Sequence, residues 1–177
     1  MRADRRPAWP GWMLAVAVAG LAACAADTKP SLQPSFYNSM AAADVRLDAE
    51  AAASMISGYR ANAGLGAVAL DPQLMQIADA QARAMVARDK LDRNVGSALS
   101  ARLKRSGYDA GTAAENVSAG YHTLAEAFSG WRDSPPHRAT MLLNGATRMG
   151  IAAVYAPASK YKVFWNLILA APDDRRG

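Results

Sequence analysis

Two apolar runs near the C-terminal end, Met149 to Ala156 and Tyr161 to Ala170, constrain this chain more than any other feature. Both carry β-branched and aromatic residues, and a short loop with Pro157 and Ser159 separates them. Runs that are apolar throughout, rather than on alternate residues, read as strands buried on both faces; here they are expected to pair antiparallel. What covers them must come from upstream, where the pattern is helical. Helices first and strands last make an α+β domain with helices packed on a sheet.

The upstream helices announce themselves by period and punctuation. From about residue 46, Ala52, Met55, Ile56 and Tyr59 fall at helical spacing, and Gly64 and Gly66 end that segment. Ala67 to Leu70 reads as a short strand. Asp71-Pro72 looks like an N-cap followed by proline at the first helical position. The helix it opens lines up Leu74, Ile77, Ala78, Ala82 and Met85, with Gln81 bordering that face and its amide expected in water. A third helix is expected from Ser97, its cap, to Ser106, with Gly107 as stop. Thr123-Leu124-Ala125-Glu126 reads as a capping box ahead of an apolar face of Leu124, Ala127, Phe128 and Trp131. Ser134-Pro135-Pro136-His137 opens a further short helix, with Ser134 as cap, running to about Leu143.

The first residues stand apart from this fold. Arg2, Arg5 and Arg6 precede an apolar run from Trp12 to Ala23. A spanning helix needs about 20 residues, so this shorter run fits the core of an export signal. It ends in Leu21-Ala22-Ala23-Cys24, which resembles the lipobox of bacterial lipoproteins. That resemblance implies cleavage before Cys24, lipidation of its thiol and anchoring to a membrane. Cys24 is the sequence's one cysteine, so the mature fold is expected to hold without disulfides. Ala25 stands where an inner-membrane retention signal places aspartate, which favours the outer membrane. The expected organisation is a lipoprotein signal at 1–23, a lipidated tether at 24–45, the folded domain at 46–172 and a tail at 173–177.

Charge excludes one class of partner. The whole chain carries a net +5, and removing residues 1–23 takes away three Arg and one Asp, leaving +3. That excess is mild and scattered, with no basic cluster interleaved with aromatics, so no nucleic-acid partner is expected. It gives a weak reason to expect contact with anionic envelope polymers.

Two segments carry a family resemblance. Ala114-Glu115-Asn116-Val117 resembles the Gly-Glu-Asn-Ile/Leu-Ala signature of the CAP superfamily (cysteine-rich secretory, antigen 5 and pathogenesis-related 1 proteins; the SCP domain). Trp131 to Leu142 is similar to its bacterial form, Trp-x-x-Ser-Pro-x-His-Arg-x-x-Ile/Leu-Leu. Arg148-Met149-Gly150-Ile151-Ala152 matches the strand that follows. Upstream, Tyr59-Arg60, Gly64-Leu65 and Leu70-Asp71-Pro72-Gln73-Leu74 agree in order. The resemblance covers about 46 to 171 and implies a three-layer α-β-α sandwich with a small antiparallel sheet flanked by helices.

In many members of that family two histidines and two glutamates line a cleft and can hold a divalent metal. Glu115 and His137 match one of each. Arg93 stands where the first histidine is expected, and an arginine neither ligates nor tolerates a cation. Ser134 stands where the second glutamate would be. Two ligands of four are too few for a tight tetrahedral site, so neither metal nor other cofactor is expected. Arg93 is instead expected to pair with Glu115, and the Glu115 carboxylate to converge with the His137 ring. The plainer roles are a turn amide for Asn116, a surface loop for His122, capping alone for Glu126 and core for Trp131 and Trp165.

The function these residues suggest is a monomeric, non-enzymatic envelope module that binds a lipid, a cell-wall fragment or a protein. The alternative is a hydrolase, perhaps proteolytic, that uses Glu115 and His137 as acid and base. No Gly-x-Ser-x-Gly elbow is present, and lipidation would remove the cysteine thiol as a nucleophile.

Overall fold

The structure is a computed structural model that describes residues 33–172. The export signal, Cys24 and the tail at 173–177 lie outside the described residues.

Three of the α-helices among the described residues begin on a side-chain cap. Helix α1 (Ala49–Asn62) starts on Asp48, whose carboxylate accepts from Ala51 N, and gives way to Gly64 at φ 73. Strand β1 is two residues, Ala69–Leu70. Helix α2 (Pro72–Ala87) opens on Asp71, which accepts from Gln73 N and Leu74 N, and buries the expected stripe of Leu74, Ile77, Ala78, Ala82 and Met85. Helix α3 (Leu99–Ser106) stops at Gly107, which takes φ 70. Its N-cap position is Ala98, not Ser97; the Ser97 hydroxyl accepts from Arg105 instead.

Strand β2 (Ala110–Ala119) contains the whole Glu-Asn signature, so Asn116 lies in a strand and not in the expected turn. Helix α4 (Leu124–Asp133) has the expected capping box of Thr123 and Glu126. Helix α5 (Pro135–Met141) begins after Ser134, whose hydroxyl makes no capping bond. Strands β3 (Arg148–Ala156) and β4 (Lys162–Pro172) are the two apolar runs, paired antiparallel as expected.

The sheet order is β1-β3-β4-β2. The three long strands are antiparallel, but β1 joins β3 in parallel, so the sheet is mixed rather than purely antiparallel. Strand β4 explains the layering. Its residues alternate between faces: Val163, Trp165, Leu167 and Leu169 pack with α1, α4 and α5. Ile168 and Ala170 pack against α2 and α3, and Phe164 against Met85 of α2. The result is the three-layer α-β-α sandwich.

Two features tighten this frame. Gly150 of β3 lies under α2 so closely that a Cβ there would overlap the backbone of Leu74. Arg60 of α1, 1% exposed, reaches past its helix end: Nε donates to Gly66 O, Nη1 to Met141 O and Leu143 O, and Nη2 to Ala146 O. It thereby fastens α1 to the α5–β3 connection.

The packed domain also begins before residue 46. A short 3-10 turn spans Ser35–Tyr37, Met40 is buried, and Met40 N donates to His122 O at 2.6 Å. Phe36, Val45 and Leu47 pack on the core beside it. Much of the segment expected as tether is therefore a strap on the domain.

Candidate functional site

Strand β2 sits at the sheet edge, paired with β4 alone among the described residues. Alternation sends its successive side chains to opposite layers. Glu115 and Val117 face the α2–α3 layer. Asn116 and Ser118 face α4 and α5, where the Ser118 hydroxyl accepts from Trp131 Nε1 at 3.1 Å.

Glu115 is 4% exposed and fully engaged. Arg102, projecting from α3, donates from Nη2 to both carboxylate oxygens at 2.8 Å. Asn166 of β4 donates from Nδ2 to Oε1 at 2.7 Å. Arg102 is itself fixed, with Nε donating to Ser97 O at 3.2 Å. The expected Arg93–Glu115 pair is thus replaced by an Arg102–Glu115 pair, buried and supported by an amide.

His137 lies at the start of α5, on the other layer. Asn116, fully buried, donates from Nδ2 to the His137 backbone carbonyl at 2.9 Å. Among the described residues the His137 ring and the Glu115 carboxylate share no hydrogen bond; the link between the two residues is the Asn116 amide, next to Glu115 in β2, bonded to the His137 carbonyl. Burial pushes the half-buried imidazole below its ordinary pKa, and the nearby charge of Arg93 adds to that.

Arg93 is exposed on the loop between α2 and α3. Gln81 holds that loop: its Nε2 donates to Asp92 O at 3.1 Å and Arg93 O at 3.0 Å. Gln81 is 1% exposed, so its amide lies inside rather than in water as expected. His122 is exposed, and Glu126 accepts from His122 N and Thr123 N, the plain capping role expected for it. Trp131 and Trp165 are core, at 6.2 Å and 83° to one another.

Arg102 and Asn166 are the site residues that sequence reasoning missed, and both left a signal. Arg102 falls between Leu99 and Leu103, on the apolar face of α3. Asn166 is the one polar side chain inside the run from Val163 to Ala170. A polar residue at a core position needs a partner, and each finds it in Glu115.

The metal expected of many relatives does not fit this residue set. Both oxygens of Glu115 are taken by nitrogen donors, one of them cationic. Among the described residues no three His, Cys, Asp or Glu come together as a ligand group. Two hollows flank α3 instead. One of about 460 Å³ lies against the first half of β2 and is lined by Leu99, Leu103, Tyr108 and Thr112. The other, of about 400 Å³, lies against α2 and is lined by Gln73, Ile77, Ala80 and Arg102.

A mixed sheet between two helical layers, with a Glu-Asn edge strand beside a Pro-Pro-His helix, defines the class. The chain belongs to the CAP cysteine-rich secretory protein family, whose model matches residues 53–169. The fold is shared with an extracellular SCP-domain protein from Bacillus anthracis, at 21% identity and a TM-score of 0.60 over 69% of this chain. An outer surface protein from Borrelia burgdorferi is similar at 15% identity and a TM-score of 0.64 over 71% of this chain and 92% of its own. A cysteine-rich secretory protein from Staphylococcus aureus matches at 17% identity and a TM-score of 0.57 over 68% of this chain. The matched region spans only 39% of the Bacillus protein and 37% of the Staphylococcus protein. No curated protein matches the chain.

Proposed function

We propose that this chain is an exported envelope protein, anchored by a lipid on Cys24, whose CAP domain binds a ligand without altering it. The observation that carries the second half is the closure of Glu115. A general base must be able to accept a proton from substrate or water. A carboxylate sealed from solvent, with the Arg102 guanidinium on both oxygens and the Asn166 amide on one, is out of a substrate's reach, and among the described residues no carboxylate orients the half-buried His137. Binding needs neither. The hollows beside α3 are where a lipid, a cell-wall fragment or a protein would dock.

Export is supported by the leader pattern and by the company the fold keeps, since two structural relatives are described as an extracellular and an outer surface protein. The Leu-Ala-Ala-Cys end of that leader supports lipidation and, with Ala25, the outer membrane. The test is purification of the full chain from its host envelope, with mass spectrometry of what it carries. The expected results are an acylated Cys24 and a bound compound recovered unchanged after incubation. Conversion of that compound to a product, lost in His137→Ala, would make the chain a hydrolase and contradict this reading.

A further inference from the structure

We propose that the open edge of β3 is a docking strand for an extended peptide of another protein, whose side chains alternate apolar and polar and include a carboxylate. This goes beyond the reading above and uses the opposite edge of the sheet from β2.

The direction of the backbone groups carries the argument. Strand β1 covers only the start of β3, pairing with Arg148 and Met149. There Asp71 N donates to Met149 O at 2.9 Å. Backbone groups alternate between the two sides of a strand, so Ile151, Ala153 and Tyr155 present theirs to that same side, away from β4. Ile151 agrees, since its N–H donates to the Met75 thioether at 3.2 Å. Further along, no described residue bonds the outward N–H and C=O of Ala153 and Tyr155. Such a row is a template for another strand.

The edge also lies in a slot. Two hollows of about 720 and 380 Å³, which share Ala43, Val45, Arg83 and Ala153, are walled by the strap and α2. The walls differ. On the strap side Val45 and Leu47 pack with Ile151 and Ala153 on the apolar core. On the helix side stand Gln76, Asp79 and Arg83. An added strand sends alternate side chains to the two faces of the sheet, so it fits when they alternate apolar and polar. Charge adds one requirement. Asp79 is held by Arg83 at 2.6 Å. Arg46 is exposed and lines the larger hollow, and among the described residues no carboxylate pairs with it. Asp44, two residues earlier, lines neither hollow. A carboxylate on the peptide complements Arg46. Backbone pairing then gives affinity, while the alternation and the carboxylate give selectivity.

The test is proton–nitrogen NMR of the full chain carrying Cys24→Ser, titrated with acetylated and amidated Val-Thr-Val-Glu-Val-Thr-Val. The amides of Ala153 and Tyr155 are expected to move saturably and to exchange more slowly with solvent. The fully N-methylated peptide, which has no N–H to donate, is expected to leave them still. Ala153→Pro removes one outward N–H at an edge position, where proline is tolerated, and is expected to weaken binding about tenfold or more. Should that variant fail to fold, the N-methylated peptide makes the same kind of deletion with the chain intact. Arg46→Gln is expected to weaken the glutamate peptide about threefold and its glutamine analogue not at all. No saturable movement of the two amides, or equal movement with the N-methylated peptide, overturns the proposal. Equal affinity of the unaltered Arg46 chain for the glutamate and glutamine peptides contradicts the carboxylate. Movement that follows the chain's own concentration with no peptide present makes the occupant a second copy, and overturns the proposal as well.

Discussion

An arginine withdrawn from water needs partners for its N–H groups, and the two buried arginines among the described residues find them differently, Arg102 leaving its buried Nη1 without a hydrogen bond. Arg60 has no carboxylate; four backbone carbonyls accept from it, and burial alone pushes its pKa down. Replacing it with methionine would strand those carbonyls, so Arg60→Met is expected to cost about 3 kcal/mol or more in a urea unfolding titration. Arg102 is answered by charge, through Glu115. His137 makes a gentler prediction. Its folded pKa lies below the unfolded value of 6.5, so the unfolded chain takes up its proton first as pH falls. Stability is therefore expected to be level above that value and to decline as pH drops from it toward the lower folded pKa. His137→Gln should flatten that segment of the curve, measured by thermal melts across the range. At this scale the sequence exposed the site's ends and hid its middle. Glu115 and His137 could be matched by motif. The partner of Glu115 could not, because Arg93 and Arg102 are both plausible by charge, and only the fold decides which of them faces it.

Helices were legible as elements because caps and period speak together: Asp71-Pro72 and the Thr123–Glu126 box both start helices where expected. The apolar strands β3 and β4 were legible as continuous apolar runs rich in β-branched and aromatic residues. Strand β2 was not. Ala110 to Ala119 is mostly Ala, Gly, Ser and Thr with Glu115 and Asn116 in the middle, a composition with weak strand preference. It is held in the sheet by pairing with β4 over nearly its whole length and by polar contacts on both faces, which are tertiary facts. The two-residue β1 is similar in kind, a strand made by its parallel partner. At this scale the sharpest prediction concerns the seam between α2 and β3. Gly150→Ala forces a methyl group into the Leu74 backbone, where a rigid main chain cannot yield as a side chain would. The variant is expected to lose about 3 kcal/mol, at the upper end for overpacked cores, in the same urea assay.

Across the whole domain, the layering places its polar residues with purpose. One layer is sealed by Trp131, Trp165 and Met141, all fully buried. The other contains Gln81, Arg102, Glu115 and Asn166, a polar seam set into an otherwise apolar interface of α2 and α3 with the sheet. Buried ion pairs contribute little net stability over apolar packing, yet breaking one partner is strongly destabilising. The seam therefore specifies where α3 docks on β2 more than it strengthens the domain. It also decides the chemistry, because the carboxylate that marks the family's cleft serves here as an internal counter-ion. A double-mutant cycle on unfolding free energy, with Arg102→Met, Glu115→Gln and both together, tests that claim most directly. The account predicts that each single change costs about 3–5 kcal/mol and that the double costs well below their sum, a coupling of about 1 kcal/mol or more. Additive losses, with Glu115→Gln close to neutral, would mean that the carboxylate and the guanidinium do not depend on one another, and would contradict it.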